Sequence, residues 1–123
     1  GNDGNLIVIP NRLLTSQSLE NLSERDYRRA KFNLTCDLKT STVQINAAIQ
    51  SITAGIMQEN LCKKKEPKVV FEGFGPYSLD ISVMFYVETK DLSVYQQTRQ
   101  RINIQILEIL QQEKINLASS VSA

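Results

Sequence analysis

Two stretches of strict alternation limit this chain more than any other feature. Ala30, Phe32, Leu34, Cys36 and Leu38 are apolar or small, and Lys31, Asn33, Thr35 and Asp37 between them are polar. Leu79, Ile81, Val83, Phe85 and Val87 alternate in the same way with Asp80, Ser82, Met84, Tyr86 and Glu88. A period of two sends successive side chains to opposite faces, so both stretches predict strands with one buried face and one wet face. Sheets of that kind need cover on one side only.

The segments around them supply that cover. Thr40-Ser41-Thr42 offers hydroxyls for a helix start, and Ser41 and Gln44 stand at capping-box spacing. Ile45, Ala48, Ile49, Ile52 and Ile56 then recur on one helical face, which predicts a helix running to about Asn60. Lys63-Lys64-Lys65-Glu66-Pro67 reads as a charged loop and Val69 to Phe74 as a second strand, with Gly73-Phe74-Gly75-Pro76 turning it into the third as a hairpin. Asp91 or Ser93 can cap a second helix whose apolar face is Tyr95, Ile102, Ile106, Ile109 and Leu110, and Ile115 to Leu117 can close with a short strand. The order βαββαβ predicts an α+β, ferredoxin-like domain: an antiparallel sheet with both helices on one face. Residues 5–22 fall outside this plan as two short strands, Leu6 to Ile9 and Gln17 to Leu22. A strand pair alone is marginal in water.

Composition narrows the function. The 123 residues, 41% of them apolar, can bury one core. Fourteen basic and thirteen acidic side chains leave a net charge of +1, so no whole-molecule field draws the chain to nucleic acid or anionic lipid, and charge arguments are local. No apolar run approaches the ~20 residues that span a bilayer, and a soluble piece is expected. Gly1-Asn2-Asp3-Gly4 looks like a cut or a cloning scar, which suggests an excised part of a longer protein. With no His, and with Cys36 and Cys62 lacking a C-x-x-C partner, most metal sites and the His-based acid/base and nucleophile arrangements are removed. We expect reduced thiols, no cofactor, no metal and no enzymatic activity.

The stretch Asp3-Gly4-Asn5-Leu6-Ile7-Val8-Ile9-Pro10-Asn11, followed by Asn21-Leu22-Ser23 and the pair Arg28-Arg29, resembles the small-conductance mechanosensitive channel (MscS) family. Family members carry a similar D-G-x-x-x-x-I-P-N segment, then N-[FYL]-S, then a basic pair. The likeness continues more weakly to about Leu117. It implies that residues 1–24 are the last two strands of an Sm-like β domain and residues 25–123 the ferredoxin-like wall of a cytoplasmic vestibule. It further implies a homo-oligomeric ring, a heptamer in the best-known members, attached to the membrane through a region preceding this one. The family's setting is the bacterial inner membrane, with this part cytoplasmic, and its pore opens under tension and releases ions and small osmolytes on hypo-osmotic shock. The chain departs from the family in two places. Glu113-Lys114 stands where Gly is frequent, and Ala118-Ser119-Ser120 where an aromatic-Pro pair is frequent.

On this resemblance Arg25, Arg28, Arg29 and Lys31 are candidate portal-lining residues, and Leu6, Val8, Pro10 and Leu19 candidates for subunit or β-domain packing. The cationic group reads either as a collar favouring anions or as a solvated strand start neutralised by Glu24 and Asp26. Lys63-Lys64-Lys65 reads either as a contact for anionic head groups or as complement to a helix dipole. Two other functions compete. An RNA-recognition module shares the element order, and Phe71-Glu72-Gly73-Phe74-Gly75 is similar to its aromatic-glycine signature; but the open face would carry Asp37, Asp80 and Ser82 beside the single aromatic Tyr86, and acid there repels phosphate. A ligand-sensing regulatory domain would use the Gly73–Pro76 turn, which as a hairpin turn needs no ligand. Channel membership implies no nucleic-acid partner.

Overall fold

The two alternating stretches become the paired strands β1 (Tyr27–Asp37) and β3 (Ser78–Glu88) of the computed structural model, which describes residues 26–119. They run antiparallel in continuous register from Tyr27 opposite Glu88 to Asp37 opposite Ser78. β2 (Lys68–Phe74) pairs with the other edge of β3, giving the order β1-β3-β2. Glu72 is an extra residue in that second ladder: Phe71 faces Ile81 and Gly73 faces Asp80, a β-bulge just before the hairpin turn. The turn closes through Gly75 N–H to the Ser78 carbonyl at 2.9 Å. A side chain at Gly75 would have to displace the Ser78 hydroxyl, which approaches the glycine closely in this turn.

Alternation then decides what is buried. Ile81, Val83 and Val87 are fully covered and Phe85 almost so, and from β1 Ala30 and Cys36 join them. Helix α1 (Thr42–Met57) adds Ile45, Ala48, Ile52 and Ile56, and helix α2 (Leu92–Gln112) adds Tyr95, Ile102, Ile106 and Leu110, all in one cluster. Both helices therefore lie on the face of Leu79 to Val87, and among the described residues no helix covers the face of Asp80, Met84 and Tyr86. The fold is α+β, as the sequence predicts. Thr98 is also buried on α2, and Ile109 only partly.

Local chemistry sets the element ends. At α1 the Ser41 hydroxyl accepts from Gln44 N–H at 3.1 Å and the Gln44 side chain accepts from Ser41 N–H at 2.8 Å, the expected capping box. Gln44 Nε2 also donates to the Glu113 carbonyl at 2.8 Å, which ties the start of α1 to the end of α2. Asp91, the first of the two caps the sequence offers, accepts from Ser93 and Val94 N–H. α1 stops at Met57 instead of about Asn60, because Glu59 turns extended and Asn60–Cys62 form a separate 3-10 turn.

The closing strand is the larger correction. Ile115 to Leu117 is not a fourth strand; it contributes one bridge, Leu117 opposite Cys36, flanked by Asp37 N–H to the Asn116 carbonyl and Ala118 N–H to the Thr35 carbonyl. The cause lies one residue earlier. Lys114 sits at φ 59°, Lys114 N–H reaches the Gln111 carbonyl and Ile115 N–H reaches the Leu110 carbonyl, which is a Schellman end with Ile115 buried beside Leu110. Ile115 thus belongs to the helix end. Leu38, expected inside, lies past the end of β1 and is exposed. The expected boundary between residues 24 and 25, and the strands Leu6 to Ile9 and Gln17 to Leu22, lie outside the described residues.

The Schellman end yields a stability test. A left-handed residue with a Cβ costs about 1 kcal/mol relative to glycine, so Lys114→Gly is expected to stabilise the domain by about that amount. Urea denaturation checks this, and Lys114→Ala, which keeps the Cβ, serves as the control.

Candidate functional site

The side of the sheet without helices, with the outer edge of β1, gathers most of the charged side chains singled out by the sequence. Period two splits them. Arg29 lies opposite Tyr86 and Lys31 opposite Met84, so both stand on the open face, and both are exposed. Arg28 has the other parity: its Nε and Nη2 donate to the Lys90 carbonyl at 3.3 and 3.0 Å, and it clamps the loop between β3 and α2. Lys90 Nζ in turn pairs with Asp26 at 3.4 Å. Asp26 is thus engaged by Lys90, and among the described residues no carboxylate pairs with Arg29 or Lys31. Arg25, Leu6, Val8, Pro10 and Leu19 lie outside the described residues.

A third cation joins this pair from a distant part of the chain. Tyr95, Arg99 and Asn103, one helical turn apart on α2, line a groove of ≈ 450 Å³ together with Arg29 and Lys31. The Tyr95 hydroxyl donates to the Arg29 carbonyl at 3.4 Å, and the Arg99 guanidinium lies 5.1 Å from the Tyr95 ring centre. Arg29, Lys31 and Arg99 therefore form one cationic edge. Arg99 was missed from sequence; its signal was the i, i+4, i+8 spacing with Tyr95 and Asn103, which becomes meaningful only once α2 is laid beside β1.

The lysine run does not serve the helix dipole, since no basic residue occupies the last turn of α1. Lys64 pairs with Glu88 at 3.1 Å, and that hydrogen bond raises its pKa. Lys65 Nζ sits 4.7 Å from the Tyr27 ring centre and 4.8 Å from that of Tyr86, the two rings being edge-on at 6.2 Å. The loop is folded back over the end of the open face. Tyr27, which lies before the alternation noticed in the sequence, supplies the second aromatic there.

That geometry bears on the RNA reading. Phe71 and Phe74 register with Ile81 and Leu79, on the helix side, and pack edge-on at 5.5 Å. The two open-face tyrosines are spanned by Lys65, and Asp37 and Asp80 stand at the far end of the same face, where Asp80 accepts from the Ser78 hydroxyl at 2.7 Å. Among the described residues no three His, Cys, Asp or Glu side chains gather as a metal site, and no helix is long and apolar enough to cross a membrane.

Both cysteines are free and buried. Burial, with Asp80 adding to it, pushes the Cys36 thiol up. At Cys62 burial first and Glu59 second push the thiol up to about 11, against a smaller downward pull from Arg101. Arg101 holds Glu59 through two-pronged hydrogen bonds, 2.9 Å at the shortest, which raises the guanidinium's own pKa and pins the 3-10 turn to α2.

Residues 30–117 match the family profile described as "Mechanosensitive ion channel MscS, C-terminal". The chain belongs to the MscS family. It is 30% identical over 118 residues to an MscS family protein of Aquifex aeolicus, covering 94% of this chain and 32% of that protein. It is 29% identical over 116 residues to the small-conductance mechanosensitive channel MscMJ of Methanocaldococcus jannaschii, covering 94% of this chain and 33% of the channel. The chain thus spans about a third of the length of these curated relatives. Arabidopsis thaliana MSL1 superposes with a TM-score of 0.67 at 9% identity, over 77% of this chain and 35% of MSL1. Helicobacter pylori MscS in its closed state gives 0.55 at 16% identity, over 80% and 38%. These two likenesses are of fold. The matched segment carries Lys31, Arg99, Lys65 and both buried thiols, and the relative named for an activity is a mechanosensitive channel.

The buried thiol gives a pH prediction. The unfolded chain releases the Cys62 proton near 9.0, whereas the folded chain holds it to about 11. Stability from this group is present below the first value and is lost as pH rises through the window between them. The urea midpoint of the wild type is expected to fall more steeply across that window than that of Cys62→Ala; equal slopes would remove the thiol as the cause.

Proposed function

We propose that this domain is a wall segment of the cytoplasmic vestibule of a mechanosensitive channel, whose membrane pore opens under tension and releases ions and small osmolytes on hypo-osmotic shock. The observation that carries the reading is the family match over residues 30–117 on a sheet layered with helices on one side only. A wall needs one packed side for stiffness and one side facing the permeating solution, and the open face is polar and charged. The subunits form a homo-oligomeric ring, a heptamer on the family pattern, with residues 1–24 completing an Sm-like β domain and an earlier region held in the inner membrane. Leu6, Val8, Pro10 and Leu19 pack within or between those β domains.

The portal-lining assignment takes a sharper form. Arg29 and Lys31 stand on the open face with Arg99 at the neighbouring edge, Arg28 holds the β3–α2 loop, and Arg25 is kept as a candidate on sequence grounds. Closely spaced like charges along a constriction raise the local concentration of the opposite ion. The collar favours anions.

Two measurements test this. Expression of the full-length protein in bacteria lacking their own tension-gated channels is expected to restore survival of a sudden drop in osmolarity and to give pressure-activated currents in patches; silent patches with the protein present in the membrane would refute the channel function. In those patches Lys31→Glu is expected to move the reversal potential under a salt gradient toward cation preference, and Arg28→Gln to leave it in place. An unmoved potential in Lys31→Glu ends the collar while leaving the channel intact.

A further inference from the structure

The domain exposes two apolar patches on opposite flanks. One is at the β2–β3 hairpin, where Phe74 is 77% and Tyr77 62% exposed. Phe71, Phe74, Leu79 and Ile45 line an apolar groove of ≈ 290 Å³ there, between the free edge of β2 and the start of α1. The other is on the side of α2 turned away from α1, where Ile104 is 49% and Leu107 53% exposed among Gln96, Gln100 and Asn103. Because the strand order is β1-β3-β2, with α1 over β2 and α2 beside β1, the patches cannot meet within one copy.

Large aromatic side chains left in water next to a groove mark a contact surface. The charges around the two patches are complementary: Glu72 at the bulge has no cation paired with it among the described residues, and the α2 flank carries Arg99 with Arg29 and Lys31 close by. A ring closes only through a head-to-tail contact, which needs two different and complementary patches on every subunit, whereas a two-fold contact would need one patch that matches itself. We propose that these patches are the two halves of that contact: the hairpin groove of one subunit receives Ile104 and Leu107 of the next, with Glu72 facing Arg99 across the rim. This rests on the ring reading above and names the surface through which the ring closes in this domain. The occupant of the groove is a second copy of this chain, since the matching apolar and oppositely charged surface is present on the chain itself.

The test places the photoreactive analogue p-benzoylphenylalanine at position 74 in the full-length protein, in membranes, with differently tagged subunits co-expressed. Native gels report the assembly, and mass spectrometry reports the crosslinked peptides. The expected result is an oligomer in which position 74 crosslinks to the Gln96–Leu107 segment of a differently tagged subunit. Glu72→Arg is expected to lower that yield at least about tenfold and Arg99→Glu in the same chain to restore it, as for a facing charge pair. An oligomer in which position 74 crosslinks within its own subunit, to lipid, to another segment or to nothing overturns the contact and leaves the ring standing. A monomer overturns the ring and the contact with it.

Discussion

β3 is the only described strand flanked by another strand on both edges, and the rest of the fold depends on that position. It carries Ile81, Val83, Phe85 and Val87, each at most 1% exposed, along one side. A strand this apolar on one side and this polar on the other has one usable register with each neighbour, because a slip of one residue would expose every one of these side chains. The register fixes β1 and β2, and the buried side fixes where α1 and α2 lie. The loops then have little freedom: Gln44 reaching Glu113, Arg28 reaching Lys90 and Arg101 reaching Glu59 join element ends that the core has already brought together.

Asymmetry between the two faces also separates a packed side of this domain from a charged one. A sheet with helices on both sides buries its charges or does without them. Here the polar side of β1 and β3 remains available, and its two ends differ in character: Arg29 and Lys31 stand near one end and Asp37 and Asp80 at the other. The family match covers this sheet and its helices, and separated charges of this kind set up a field along the face.

The parts legible from sequence are those governed by short periods or short-range hydrogen bonds. Alternation gave β1 and β3, the Ser41/Gln44 spacing gave the start of α1, and the glycines at 73 and 75 marked the hairpin. What was not legible depends on contacts between distant residues or on very short segments. Three residues from Ile115 to Leu117 cannot distinguish a strand from a single bridge, and the competing demand came from Lys114, whose left-handed conformation commits Ile115 to the helix end. Tyr27 and Arg28 extend β1 backwards, but no apolar alternation announces them. Lys65 finds Tyr27 and Tyr86 across nearly forty and about twenty residues of chain, so the strap over the open face could not be read locally. The family resemblance rested most specifically on residues before Arg25, whereas the match that decides membership covers residues 30–117.

The cationic edge shows how geometry filters a charge run. In a strand, neighbouring side chains cannot serve the same surface, so Arg28 and Arg29 were bound to part company: one turned to the Lys90 carbonyl, the other to the solution. Only every second residue of β1 can stand on the open face. The third cation of this edge comes from the helix side, where α2 supplies Arg99, held against the Tyr95 ring beside the Arg29 backbone. Two elements with different periods, two for the strand and 3.6 for the helix, thus set the charge of one edge. Neither element alone spaces three cations around one groove, and a substitution on the exposed side of either changes the field without disturbing the Ile, Val and Phe side chains that hold the domain together.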